Sequence, residues 1–80
     1  MTHVTVAAMQ LYLGGSVEDN ITAVSSLVRE AASKGATIIL PPELFEGPYF
    51  CTVEEEALFA LAHPTESHPN IIAMRKLAAE

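Results

Sequence analysis

The sequence predicts an α/β fold, namely the amino-terminal β-α-β-α-α part of a larger domain. Its elements follow the order strand, helix, strand with short joints, and half of its 80 residues are hydrophobic while 18% are charged. This hydrophobic content exceeds what the thin core of so short a chain can bury. Because an α/β sheet of two strands is not stable, the pattern also predicts a third strand after Glu80. We therefore expect residues 1–80 to be the amino-terminal portion of a single domain.

The first strand begins at Val4 in the apolar run VTVAAMQLYL, which ends at a glycine pair. A run that is apolar on both faces is typical of a strand covered on both sides. An amphipathic helix follows, because Ser16 can cap its start and Asp19 stands three residues later, as in a capping box. Gly35 occupies the place of a helix-ending glycine. The apolar stripe of this helix consists of Val17, Ile21, Val24, Val28 and Ala31.

The second strand is predicted in the run ATIIL, directly after Gly35. This run is rich in β-branched residues and has the length of a strand. A strand, a helix and a strand with short joints form a βαβ unit, in which the two strands are parallel. The sequence therefore predicts a parallel sheet.

Two further helices complete the predicted elements. Thr52 and Glu55 offer a second capping box for a short helix through VEEEALFALA, which stops at His63-Pro64. The pair His68-Pro69 opens a third helix, because proline suits the first helical position. One face of this last helix is formed by Ile71, Met74, Leu77 and Ala78.

Charge and cysteine content exclude several classes of function. The net charge is -6, which argues against a nucleic-acid partner, since affinity for nucleic acid comes mostly from cations. A single cysteine, Cys51, cannot form an intrachain disulfide, and no zinc-type spacing is present, so we expect a reducing compartment and no metal. No basic region precedes the first apolar residues, and no run approaches the ~20 apolar residues of a membrane span. The sequence thus predicts a cytoplasmic protein without a membrane partner.

Glu43 follows the second strand in TIILPPELFEGPYF. The carboxyl ends of strands in open α/β sheets face the ligand crevice, and Pro41 and Pro42 stiffen the exit because their φ is fixed. Partial desolvation by nearby aromatic rings would favour proton acceptance near neutral pH. The rings expected to do this are Phe45, Tyr49 and Phe50. Spacing alone leaves a catalytic base, a solvated loop charge and a helix cap open.

Three stretches, VTVAAMQL, NITAVSSLVREAASKGATIIL and above all PELFEGPYFC, resemble the opening segment of the carbon–nitrogen hydrolase (nitrilase) superfamily. HPNIIAMRKLAAE extends the likeness over nearly the whole chain, and ELFEGPYFC is more typical of the branch that acts on N-carbamoylputrescine. The resemblance implies an α-β-β-α sandwich, a Glu-Lys-Cys triad, no cofactor, and a homo-oligomer when complete.

By this resemblance Glu43 is the triad base, which activates the cysteine thiol and later the hydrolytic water. Tyr49 either matches a tyrosine that contacts substrate or is a packing residue. The superfamily's lysine and nucleophilic cysteine lie beyond the matched region, so Cys51, in a loop, is expected to be a structural or incidental thiol. Lys34 and Lys76 occupy helix positions that do not suit a triad lysine.

The other polar residues are expected to have ordinary roles. His3 is predicted to be solvated, and His63 and His68 stand at helix boundaries, where capping explains them better than metal ligation. Glu46 is either a loop charge or a hydrogen-bond partner of the triad, and the loop charge is the favoured interpretation.

The resemblance implies hydrolysis of N-carbamoylputrescine to putrescine, carbon dioxide and ammonia through a cysteine thioester. One alternative is a related amidase that acts on N-carbamoyl-β-alanine or an aliphatic amide. The other is a noncatalytic fragment or a small interaction module. Because the chain supplies only the glutamate of the triad, it is expected to be inactive by itself.

Overall fold

The structure, a computed structural model, describes residues 2–48 and 56–80. Strands β1 (Val6–Ala8) and β2 (Ile38–Leu40) are hydrogen-bonded neighbours and parallel, with Val6 opposite Ile38. The predicted α/β class and parallel βαβ unit are therefore confirmed. The elements are, in chain order, β1 (Val6–Ala8), α1 (Val17–Ser33), β2 (Ile38–Leu40), a 3₁₀ helix (Glu56–Leu61), a 3₁₀ turn (Thr65–Ser67) and α2 (Pro69–Ala79).

Helix α1 begins and ends where the sequence predicts. The Oγ atom of Ser16 accepts a hydrogen bond from the backbone N–H of Asp19 at 3.1 Å, so Ser16 is the N-cap. At the other end Gly35 has a φ of +96°. The N–H of Gly35 donates to the carbonyl of Ala32 at 3.0 Å, and the next N–H donates to Ala31 at 3.1 Å. These paired bonds form a Schellman motif, which turns the chain directly into β2.

The sheet is covered on one face in the part of the chain described. Ala7 and Ile39 are half-buried, and α1 packs against β2. On the other face Val6 and Ile38 are exposed by 66% and 60%. The expectation of two covered faces is thus wrong for residues 2–48 and 56–80, because an apolar pattern predicts burial only where a second layer is present.

The core centres on Val24 of α1, which is fully buried. Phe45, from the loop after β2, and Ala36, just before β2, are also buried, and α1 packs against α2. One polar residue, Asn20, is buried in the first turns of α1, with 3% exposure. Of the predicted stripe of α1, Ile21, Val28 and Ala31 are half-buried and Val17 is exposed.

Helix α2 begins at Pro69, as a proline in the first helical position predicts. The ring nitrogen Nδ1 of His68 accepts a hydrogen bond from the backbone N–H of Asn70 at 3.2 Å, so His68 caps the helix, as expected. On the predicted apolar face, Ile71, Met74 and Leu77 are half-buried, and Ala78 is exposed.

The segment before α2 differs from the predicted helix. Residues Glu56–Leu61 form a 3₁₀ helix that ends before His63-Pro64, and the predicted capping box at Thr52 lies outside the described residues. The residue before a proline is restricted away from helical backbone, which agrees with an end before this pair. Neither α-helix in the described ranges is long and apolar enough to cross a membrane.

Candidate active site

Glu43 lies at the edge of the sheet that the sequence predicts. Strand β2 ends at Leu40, two prolines follow, and Glu43 opens a turn of residues 43–46. Because β1 and β2 are parallel, the loops after both strands lie at this same edge. Pro41 and Pro42 are half-buried whereas Glu43 is exposed. The carboxylate therefore stands on a stiff, anchored segment.

The described residues do not provide the desolvation expected around Glu43. Phe45 is only 6% exposed and belongs to the core, so its ring is used in packing. Tyr49 and Phe50 lie outside the described residues. The predicted substrate contact of Tyr49 therefore stays a prediction, and the structure shows Glu43 as an exposed residue.

Leu44, the next residue, has a left-handed backbone with a φ of +52°. For a residue other than glycine this conformation costs roughly 1–2 kcal/mol. Within the turn, the N–H of Gly47 donates to the carbonyl of Leu44 at 3.5 Å, which is too long to offset much of that cost. Since such strain persists only where the surroundings hold it, contacts on the rest of the loop must fix the turn.

The side chain of Asn20 supplies one of these contacts. Its Oδ1 accepts a hydrogen bond from the N–H of Gly15 at 3.1 Å. Its Nδ2 donates to the carbonyl of Gly15 at 3.3 Å and to the carbonyl of Glu46 at 3.2 Å. One buried amide thus joins the loop after β1 to the loop after β2.

The carboxylate of Glu46 supplies the second contact. Its Oε2 accepts a hydrogen bond from Nδ2 of Asn70 at 2.6 Å, and its Oε1 lies 3.6 Å from Nε2 of His68. The Glu46 side chain is only 17% exposed. The favoured interpretation of Glu46 as a loop charge is therefore wrong, because its side chain is largely buried and hydrogen-bonded. Its partners lie at the start of α2, far along the sequence. We call Asn20, Glu46, His68 and Asn70 the loop clamp.

The tautomer of His68 follows from its capping bond. Because Nδ1 accepts the N–H of Asn70, a neutral ring carries its proton on Nε2, the atom that faces Glu46. The side chain of Asn70 also faces inward, and its Oδ1 is buried without a hydrogen-bond partner among residues 2–48 and 56–80. The start of α2 thus presents two N–H groups to one carboxylate.

The two lysines of the chain, Lys34 and Lys76, are associated with the helices. Lys34 directly follows α1 and precedes β2, so it lies at the opposite edge of the sheet, and its Nζ pairs with Glu30 at 3.2 Å. Lys76 is exposed near the end of α2. Cys51 lies outside the described residues, so its predicted role as an incidental thiol stays a prediction.

The position of Glu43 suits one chemical step, the acceptance of a proton. An exposed carboxylate on a fixed loop can accept a proton, provided that its reaction partner comes within hydrogen-bond reach. Within the two described ranges, no group of three or more His, Cys, Asp or Glu side chains is placed to hold a metal ion. The exposed carboxylate of Glu43 is therefore able to accept a proton from a group that comes within hydrogen-bond reach.

The loop clamp is the part of the site that the sequence interpretation missed. Asn20 lies four residues, about one helical turn, before Val24. It therefore falls on the face of α1 that packs inward, where an apolar residue is expected. A polar residue in such a position signals a buried hydrogen bond. The sequence contains no comparable signal for the contact between Asn70 and Glu46.

Known proteins are similar to almost the whole chain. An N-carbamoylputrescine amidase of Arabidopsis thaliana is 47% identical over 77 residues, which cover 96% of this chain and 26% of that protein. The N-carbamoylputrescine amidase of Solanum lycopersicum is 48% identical with the same coverage. A citrullinase of Francisella tularensis is 35% identical over 79 residues, which cover 99% of this chain and 27% of that protein. No protein-family model matches the chain.

The chain spans 26% to 27% of the length of these relatives. At 96% or more of the chain, the matched regions leave out only a few residues. The similarity therefore extends over almost the whole chain and is not confined to one motif. The chain belongs to the carbon–nitrogen hydrolase (nitrilase) superfamily.

Proposed function

We propose that residues 1–80 are the amino-terminal portion of one carbon–nitrogen hydrolase domain, and that the complete protein hydrolyses N-carbamoylputrescine. The products are putrescine, carbon dioxide and ammonia. The observation that carries this proposal is the position of Glu43 on a stiff, clamped loop at the carboxyl edge of a parallel sheet. The two plant amidases at 47% and 48% identity support the choice of substrate.

In this proposal Glu43 is the general base of a Glu-Lys-Cys triad. Its carboxylate takes the proton of the cysteine thiol, the thiolate attacks the carbamoyl carbon, and Glu43 returns the proton to the nitrogen that leaves, which restores the carboxylate. Glu43 then takes a proton from water, whose oxygen displaces the sulfur. The resulting carbamic acid loses carbon dioxide. The lysine and the cysteine are expected outside residues 1–80, and no cofactor takes part.

The chemistry of the substrate can be narrowed from the relatives' names. N-carbamoylputrescine and citrulline both carry a terminal carbamoyl group on the amine of an alkyl chain. Charge then favours the diamine, because residues 35–74 contain six glutamates and no Lys or Arg. A cationic chain end is attracted to such a segment, whereas a carboxylate is not.

Two alternatives use the same loop. A related amidase would take citrulline, N-carbamoyl-β-alanine or an aliphatic amide, and the citrullinase at 35% identity favours the first of these. A noncatalytic fragment or an interaction module would have the same fold but would not hydrolyse a substrate. Tyr49 as a substrate contact and assembly as a homo-oligomer are proposed from the resemblance, whereas a cytoplasmic location is proposed from the cysteine content and the amino-terminal sequence.

The test uses the full-length protein with Glu43→Gln, which keeps the size of the side chain and removes the proton acceptor. We expect turnover of N-carbamoylputrescine to fall by a factor on the order of 10² or more. The control is Glu66→Gln, an exposed acidic residue in the 3₁₀ turn, which should leave turnover unchanged. Near-normal turnover of folded Glu43→Gln protein would refute the assignment.

The substrate is tested by comparing kcat/KM for N-carbamoylputrescine, citrulline, N-carbamoyl-β-alanine and an aliphatic amide. We expect the diamine derivative to be preferred by about tenfold or more over each of the others, because it alone combines a carbamoyl group with a purely cationic chain end. A preference for citrulline or for an anionic substrate would replace the proposed substrate while leaving the role of Glu43 intact.

A further inference from the structure

We propose that Glu46 is a positioning residue for Glu43: its carboxylate, held by the start of α2, fixes the turn that aims the general base. This inference rests on the proposed function, because it assumes that Glu43 is the base. It goes beyond that function in assigning a role to a residue outside the proposed triad. The geometry that carries it is the loop clamp.

Backbone strain lies next to the proposed base. Leu44 adopts a left-handed backbone directly after Glu43, and a residue with a side chain leaves that conformation unless its surroundings hold it. If Leu44 relaxed, the direction of the adjoining Glu43 side chain would change with it. The aim of Glu43 therefore depends on whatever restrains residues 43–46.

Restraints act on both sides of this turn. On the amino-terminal side the turn is preceded by Pro41 and Pro42, whose φ is fixed. On the carboxyl-terminal side Glu46 is held through its main chain by Asn20 and through its side chain by Asn70, at 3.2 and 2.6 Å. The turn is thus fixed at both ends, and the far end is fixed by side chains of two different helices.

A carboxylate suits residue 46 better than a neutral side chain does. Its Oε2 accepts a hydrogen bond from the amide of Asn70, and its Oε1 lies 3.6 Å from Nε2 of His68, the N-cap residue of α2. A charged acceptor forms shorter and stronger hydrogen bonds than a neutral one, which agrees with the distance of 2.6 Å to Asn70. At 17% exposure, this contact is largely shielded from competing water.

The test compares Glu46→Ala, Glu46→Gln and Asn70→Ala in the full-length protein. Glu46→Ala should lower kcat by about 10- to 100-fold while KM changes by less than about threefold, because the base is misplaced but the substrate still binds. Glu46→Gln keeps an oxygen for Asn70 and should recover most of the lost kcat. Asn70→Ala should resemble Glu46→Ala, and the double variant should be no worse than either alone.

The control is Glu66→Ala, which removes an exposed carboxylate from the turn before α2 and should change neither kinetic constant. The thermal unfolding midpoint of each variant shows whether a lower kcat results from misplacement of Glu43 or from loss of stability. If Glu46→Ala does not fold, the kcat and KM of Asn70→Ala test the proposal instead, with the same expected fall in kcat. Unchanged kcat in the folded variant overturns the proposal, and so does equal loss in Glu46→Gln and Glu46→Ala at the wild-type unfolding midpoint.

Glu43→Gln, measured in the same assay, separates the positioning role from the function on which it rests. If Glu43→Gln is inactive and Glu46→Ala is active, only the positioning role fails. If Glu43→Gln retains turnover, the proposed general base fails, and the positioning role is overturned with it.

Discussion

Replacing Asn20 by alanine should loosen two loops at once. The side chain is 3% exposed and makes three hydrogen bonds, two to the backbone of Gly15 and one to the carbonyl of Glu46. At about 1 kcal/mol for each net hydrogen bond, their loss should cost about 3 kcal/mol. The expected effect on local opening is therefore an increase of roughly 10²-fold. Both partner loops lie at the sheet edge that carries Glu43.

Hydrogen exchange in the full-length protein, followed by mass spectrometry, measures this opening directly. Peptides that contain the loop after β1 and those that contain the loop after β2 should both exchange faster in Asn20→Ala, while peptides from α2 change less. Thr22→Ala, an exposed substitution two residues further along α1, is the matched control. Unchanged exchange in both loops would show that the amide does not join them.

Replacing Asn20 by aspartate adds a pH dependence to the same experiment. An aspartate keeps the acceptor for the N–H of Gly15 but, when ionised, presents negative charge to the carbonyls of Gly15 and Glu46. Burial and these carbonyls disfavour the charged form, so the introduced carboxyl should have a higher pKa in the folded than in the unfolded protein. The destabilisation should then be largest above the folded-state pKa and decrease as the pH falls toward the unfolded-state pKa, because the protonated group regains a donor.

Two further predictions concern Gly35 and Cys51. Gly35→Ala should lower the stability by about 1 kcal/mol, because its φ of +96° disfavours a side chain, although a Cβ there would meet no atom of the described residues within 4 Å. Gly47→Ala, where a Cβ would likewise meet no atom of residues 2–48 and 56–80 and φ is not positive, should be close to neutral in the same thermal unfolding experiment. Cys51→Ser in the full-length protein should still form the acyl-enzyme at near-normal rates, since the proposed nucleophile lies elsewhere. Loss of covalent labelling by a thiol-directed substrate analogue would contradict this.

The elements that the sequence predicted well are those whose signals are local. The cap at Ser16, the turn at Gly35 and the start of α2 at Pro69 each depend on contacts within a few residues. The parallel pairing of β1 and β2 followed from the helix between them, because two strands joined through a helix by short connections are typically parallel. The resemblance to a superfamily then singled out Glu43 as the candidate base within an ordinary-looking loop.

The parts that the sequence did not predict depend on distant contacts. Glu46 meets Asn20 and Asn70, which are 26 and 24 residues away, and no local pattern indicates such a pair. The exposed sheet face was missed for a related reason, since an apolar strand shows what it can bury but not what covers it. The 3₁₀ form of Glu56–Leu61 was not predicted either, and the capping box proposed for its start lies outside the described residues.

The left-handed backbone of Leu44 limits which residues the loop can accept in sequence design. Glycine or asparagine adopts this conformation more easily, whereas valine and isoleucine, with branching at Cβ, are the least tolerated. Leu44 therefore half-buries its side chain while its backbone adopts a conformation that leucine disfavours. A library built on this loop should vary Leu44 and Glu46 together. A residue at position 44 that adopts the left-handed backbone without strain would no longer need the restraint that the contacts of Glu46 provide.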